Sequence, residues 1–357
     1  MIGFVVGSSF STRRVAGARC NVSSRRQAQA EAAVDTEKAT QFENLQKLTV
    51  IVEDTGDFDT IRKHKPVDAT TNPSLIYTAA SMDRYNALVA TAIKYAQKSA
   101  STKESQLVVA RDKLSTLFGA EITKIVPGYV STEVDARLSF DTEASVEKAH
   151  ELLRMYEEVG VGKDRILIKL ASTWEGLKAC EILEKDGISC NMTLIFSLAQ
   201  AAVAADVGAT LVSPFVGRIL DWNKKEYGVE SYAPEEDPGV ISVKNIFNYY
   251  KCHDYKTIVM GASFRNLDEI LQLAGCDRLT IAPKFIEQMK NSYDEVVPHL
   301  QMPAANLCDL ETKLATDEAS FRWYMNEDKM ATDKLSEGIR GFAKDSRSLD
   351  EKLLAML

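Results

Sequence analysis

Short apolar runs alternate with longer amphipathic ones from about residue 46 onward. Eight of the short runs predict strands: Leu48–Glu53, Asp68–Thr71, Tyr129–Val134, Ile166–Leu170, Cys190–Ile195, Thr210–Pro214, Thr257–Met260 and Leu279–Ile281. They are rich in Val, Ile and Thr, and several lack the polar–apolar alternation of a half-solvated sheet. Continuous apolar strands suit a parallel sheet covered on both faces. The longer runs predict helices. In Glu143–Val159, the residues Val146, Ala149, Leu152, Leu153 and Tyr156 form one face at 3- and 4-residue spacing. Asp141 or Thr142 can cap its start and Gly160 its end. Asp83–Ala100 and Glu104–Phe118 predict two helices between the second and third strands, so one crossover is enlarged.

Eight strands alternating with helices predict a closed (β/α)₈ TIM barrel. Such a barrel takes about 250 residues, and the remainder of the 357 fits extra helices near residue 90 and after Pro303. The alternative is an open doubly wound sheet, which usually carries a Gly-rich phosphate loop after its first strand. Here the first strand runs into Glu53-Asp54-Thr55-Gly56, which is no such loop. Gly160-Val161-Gly162-Lys163 resembles a fragment of a P-loop, but Glu157 stands where the first Gly belongs and Asp164 replaces the Ser or Thr.

Hydrophobic residues make up 45% and charged residues 26%, which excludes a largely disordered chain. No run approaches the ~18 apolar residues that span a bilayer. Residues 1–30 stand apart. They hold Arg13, Arg14, Arg19, Arg25, Arg26 and five serines, and the first carboxylate is Glu31. That is the composition of an organelle transit peptide without folded structure; a plastid is the expected destination, with the mitochondrion or the cytoplasm as alternatives. A polar helical lead-in is expected over residues 31–45, and the barrel over 46–357. Without the five arginines of the leader, the net charge goes from −8 to −13. So acidic a body argues against nonspecific nucleic-acid binding. The six cysteines (Cys20, Cys180, Cys190, Cys252, Cys276 and Cys308) form no CxxC pair, and free thiols in a reducing compartment are expected. With no grouped His or Cys, neither a metal nor a cofactor is expected.

In a barrel the chemistry sits at the C-terminal strand ends. The polar residues there are Asp54, Thr70-Thr71-Asn72, Glu133, Lys169, Asn191 and Thr193, Ser213, and the arginines Arg218 and Arg265 that follow the sixth and seventh strands. Lys169 lies inside an apolar strand, where a charged ammonium is expensive. A buried neutral amine is a nucleophile able to form an imine with a ketone; a salt-bridged structural lysine is the other reading. Asp54 and Glu133 are candidate proton-transfer groups or plain ion-pair partners. Arg218 and Arg265 offer planar forks matched to phosphate, or structural salt bridges.

The segments Val52-Glu53-Asp54-Thr55-Gly56-Asp57, Asp68-Ala69-Thr70-Thr71-Asn72-Pro73-Ser74, Ser131-Thr132-Glu133-Val134-Asp135, Ile168-Lys169-Leu170-Ala171-Ser172-Thr173, Asn191-Met192-Thr193-Leu194, Ser213-Pro214-Phe215-Val216-Gly217-Arg218 and Gly261-Ala262-Ser263-Phe264-Arg265 together resemble those of the transaldolase family in its long form. The resemblance runs from about Gln46. It implies a metal-free homodimeric barrel acting on sugar phosphates. Such an enzyme moves a dihydroxyacetone unit from sedoheptulose 7-phosphate to glyceraldehyde 3-phosphate, a step of the pentose phosphate pathway that gives erythrose 4-phosphate and fructose 6-phosphate. By resemblance, Lys169 forms the Schiff base. Glu133 acts as acid–base through a water that Thr193 helps to hold, and Asp54 takes the C4 hydroxyl proton. Asn72, Asn191 and Ser213 hydrogen-bond the three-carbon unit, Thr70 and Phe215 line its pocket, and Arg218 and Arg265 clamp phosphate. An aldolase that releases free dihydroxyacetone and a noncatalytic sugar-phosphate-binding barrel are the competing readings.

Overall fold

Each strand of the sheet pairs in parallel with the next, and the last closes on the first. In order they are β1 Val50–Asp54, β2 Asp68–Thr70, β3 Val130–Glu133, β4 Ile166–Ala171, β5 Cys190–Ile195, β6 Leu211–Pro214, β7 Ile258–Gly261 and β8 Arg278–Ile281. The chain is therefore a (β/α)₈ barrel and not an open doubly wound sheet. All eight expected strands are present, with ends displaced by no more than two residues. The computed structural model describes residues 38–304, 308 and 312–357. The expected leader, residues 1–30, and the start of the lead-in lie outside the described residues; of the lead-in, Gln41–Gln46 is a helix capped by Thr40 and Glu43.

Strand sequence dictates two cores. Val52, Leu167, Leu211 and Met260 point inward from β1, β4, β6 and β7 and fill the barrel's base. Residues two further along a strand share that face, so Asp54, Lys169 and Ser213 stand directly above three of them. The outward-facing residues pack against the surrounding helices in one larger cluster. Five helices start promptly after their strands because a side chain caps them: Asp57, Asn72, Thr173, Ser197 and Asn266 each accept a backbone N–H of the following turn.

The enlarged crossover holds a 3₁₀ turn Asp83–Tyr85, then helices Asn86–Ser99 and Lys103–Thr123. The second runs past the expected end at Phe118 because Gly119 is a packing glycine: a Cβ there would fall 1.8 Å from the Tyr156 hydroxyl oxygen. Thr142–Glu157 is helical, capped by Asp141, and Gly160 beyond it takes the left-handed conformation at φ +82°. After the barrel, the described residues include the helices Glu318–Glu327 and Lys329–Leu354.

The cysteines depart from expectation. Cys252 and Cys308 form a disulfide across 56 residues, so these two are not free thiols. Cys180, Cys190 and Cys276 are free and buried, and Cys20 lies outside the described residues. The fold makes neighbours of thiols that sequence spacing keeps apart. It also groups Cys180, Cys190 and Glu184 at the barrel's base, with one ligand atom of each within 4.8 Å of the others. Glu184 is already committed there, accepting the N–H groups of Cys190 and Thr210.

Candidate active site

The C-terminal strand ends converge on a cavity of about 60 Å³ lined by Asp54, Thr70, Asn72, Lys169, Ser213, Phe215, Arg218 and Ser263, among others. Register sets the arrangement. Asp54 pairs with Thr70, Glu133 with Lys169, and Lys169 with Asn191 across adjacent strands. Lys169 is 4% exposed. Its Nζ lies 3.4 Å from Glu133 Oε2 and 3.4 Å from the Thr71 carbonyl oxygen. Two contacts of that length leave the amine weakly held.

A belt of hydrogen bonds orients the polar side chains. Thr70 Oγ1 donates to Asp54 Oδ1 at 2.8 Å and meets Thr280 Oγ1 at 2.7 Å. Asn191 donates through Nδ2 to Ser131 Oγ at 3.1 Å and accepts at Oδ1 from Ser213 Oγ at 2.7 Å. Asn72 caps the next helix by accepting the Leu75 N–H at Oδ1, which fixes its side chain at the rim. Thr193 is fully buried, and beside it β5 loses its register: Leu194 takes φ +57° and the pairing with β6 shifts between Met192 and Ile195. Such irregularities re-aim side chains at barrel rims. Glu133 Oε2, apart from its ion pair, and Thr193 Oγ1 have no hydrogen-bond partner among the described residues.

Burial raises both carboxyls, against the pull of Lys169 and Arg218. Glu133 is pushed up to about 7. Asp54 is also raised, while its bond from Thr70 favours the ionised form. The Glu133 shift makes a stability prediction. Its folded value lies above the ordinary 4.5, so between those values the native state binds more protons than the unfolded chain. Stability then falls as pH rises through that window, by roughly 3 kcal/mol from this group. Glu133→Gln removes that component, so its stability relative to wild type rises between pH 4.5 and pH 8. Denaturant unfolding at both pH values checks this, and parallel pH dependence for the two proteins contradicts it.

The two arginines are not equivalent. Arg265 pairs with Asp221 at 2.8 Å and is partly exposed. Arg218 has no ion-pair partner among the described residues. Its guanidinium lies over Phe215, 4.9 Å from the ring centroid, and burial, followed by the charge of Arg265, lowers its pKa. Gly217 brings the two together: a Cβ there would fall 2.5 Å from Arg265 Cγ and 2.6 Å from the Ser263 carbonyl oxygen. Of the residues expected from sequence, Asp54, Thr70, Asn72, Lys169, Ser213, Phe215 and Arg218 line the cavity. Glu133 and Asn191 stand behind it, against Lys169 and Ser213. Arg265 lies beside Gly217, and Thr193 is buried on β5. Sequence reasoning missed Ser131, Thr280, Ser263 and Phe342. The first two face inward on strands and could have been found by extending the alternation. Ser263, at φ +62°, and Phe342, on the last helix, leave no such signal.

Fold and site define a (β/α)₈ barrel with a buried amine, two carboxyls and two arginines at its mouth. Residues 51–353 match the sequence profile of the Transaldolase/Fructose-6-phosphate aldolase family. The chain belongs to that family and is an enzyme of the transaldolase type. It is 55% identical over 322 residues to a probable transaldolase of Drosophila melanogaster, covering 90% of this chain and 97% of the relative. It is 55% identical over 315 residues to a transaldolase of Pseudoalteromonas atlantica (88% and 98% covered), and 56% identical over 319 residues to one of Shewanella loihica (89% and 99% covered). No helix among the described residues is long and apolar enough to cross a membrane.

Proposed function

We propose that the chain transfers a dihydroxyacetone unit from sedoheptulose 7-phosphate to glyceraldehyde 3-phosphate through a Schiff base on Lys169, as a step of the pentose phosphate pathway. The carrying observation is the buried Lys169 amine, 3.4 Å from a carboxyl whose pKa lies at about 7. A group poised near neutrality can both give and take protons. Lys169 attacks the ketone carbon. Glu133 moves the protons that let the carbinolamine lose its oxygen as water and become an iminium ion, through a water that it and Thr193 are free to bind. The iminium accepts the electron pair of the C3–C4 bond, and Asp54 takes the C4 hydroxyl proton as that bond breaks. Asn72, Asn191 and Ser213 hold the three-carbon enamine; Thr70 and Phe215 wall it in. Arg218, assisted by Arg265, binds the phosphate.

Borohydride treatment with fructose 6-phosphate, followed by mass spectrometry, tests the reading. A reduced dihydroxyacetone adduct on the Lys169 peptide is expected, and its absence overturns it. The family resemblance supports a homodimer. The five arginines and missing carboxylates of residues 1–30 support plastid delivery. Those residues fused to a fluorescent reporter should label plastids in an algal or plant cell; mitochondrial or diffuse label rejects that destination and leaves the chemistry untouched.

A further inference from the structure

We propose that Phe342 is a specificity-determining residue that reserves the enamine for the incoming aldehyde and keeps water from it. The proposal rests on the Schiff-base reading above. Phe342 is 3% exposed and lines the same cavity as Asp54, Lys169 and Arg218. Its ring centroid lies 5.9 Å from Lys169 Nζ and 5.5 Å from the Arg218 guanidinium carbon. One apolar ring therefore faces both the imine-forming amine and the phosphate-binding cation. It comes from the helix Lys329–Leu354, not from a strand.

That helix is tied down along its length. Asp333 accepts from Trp222 Nε1 at 2.9 Å, and Asp345 accepts from the Ser74 hydroxyl. Asp350 binds Arg111 at 2.7 Å and Arg137 at 3.1 Å. Gly338 lies one turn before Phe342 on the same face. A Cβ there would fall 2.7 Å from Leu194 Cδ2 and 3.4 Å from Arg218 Nη1. So the helix that carries the ring presses closely on β5 and Arg218.

The two fates of the enamine differ in what reaches C3. In transfer, C3 uses the enamine electron pair to bond the aldehyde carbon, and the aldehyde oxygen takes the proton held by Asp54. In release, C3 takes a proton from water. In both fates a water then adds to the C=N carbon and the C–N bond breaks, freeing the ketose product or dihydroxyacetone together with the amine, so the fates part only at C3. An aromatic wall over Lys169 keeps bulk water from protonating C3, and leaves the C=N carbon to the water that Glu133 and Thr193 hold.

The test uses the full chain with fructose 6-phosphate and erythrose 4-phosphate, measuring free dihydroxyacetone against sedoheptulose 7-phosphate. Phe342→Ala should raise the ratio of release to transfer by roughly tenfold or more, and Phe342→Leu, which keeps most of the apolar volume, by about twofold to fivefold. A residue that only packs the helix would lower both products together. A wild-type ratio in either variant that folds overturns the proposal. Borohydride trapping of the wild type is run alongside. A trapped adduct with an unchanged ratio overturns the role of Phe342 alone; no adduct overturns the Schiff-base reading and this proposal with it.

Discussion

Lys169→Arg leaves the barrel folded and removes transfer, by roughly a thousandfold or more in turnover. Arginine retains the positive charge beside Glu133 and Asp54, so the electrostatics that balance the two buried carboxyls persist. It stays protonated at accessible pH and has no free electron pair to attack a ketone. The native amine is held by only two contacts of 3.4 Å, so little packing depends on its exact shape. Transfer kinetics, thermal unfolding and borohydride trapping together check the outcome. A folded variant with activity within about tenfold of wild type would remove Lys169 as nucleophile.

Arg218→Ala raises the Michaelis constant for phosphorylated substrates roughly tenfold to a hundredfold, the loss of a charge-assisted contact of ~1.5–3 kcal/mol. Arg265→Ala has the smaller effect, because Asp221 already engages that guanidinium at 2.8 Å. Free Arg218 must carry more of the phosphate charge. Unphosphorylated acceptors should lose much less with either variant. Steady-state kinetics on matched phosphorylated and unphosphorylated sugars separate the cases, and equal losses for both would show that neither arginine reads phosphate.

Much of this was legible in the residues alone. Continuous apolar runs announce strands buried on both faces, and a lysine inside Ile166–Ala171 stands out because its charge has no business there. Asp54 and Glu133 follow from their places at strand ends. What escaped depends on residues far apart in the chain. The Asp221 partner of Arg265 lies 44 positions away, and the Cys252–Cys308 bond spans 56; spacing rules reach neither. Phe342 reads as one more apolar position on an amphipathic helix, since nothing local says which barrel end that helix covers. Ser263 lines the cavity from a left-handed backbone just past β7, a conformation that no local pattern marks.

The hydrogen-bonded side chains that tie neighbouring strands together have a consequence for how such an enzyme can change over evolutionary time. Asn191 spends both ends of its amide on neighbours, giving a hydrogen to Ser131 on β3 and taking one from Ser213 on β6. Asp54 and Thr70 are locked in the same way across β1 and β2, with Thr280 of β8 joined through Thr70. A substitution at one of these positions leaves an unmatched donor or acceptor on another strand, in a setting where each costs about 1–3 kcal/mol. The effect of any one change therefore depends on what its neighbours already are. New substrate preferences on this scaffold should arise as coordinated sets of replacements across adjoining strands, or at residues such as Phe342 that touch the cavity without belonging to the belt.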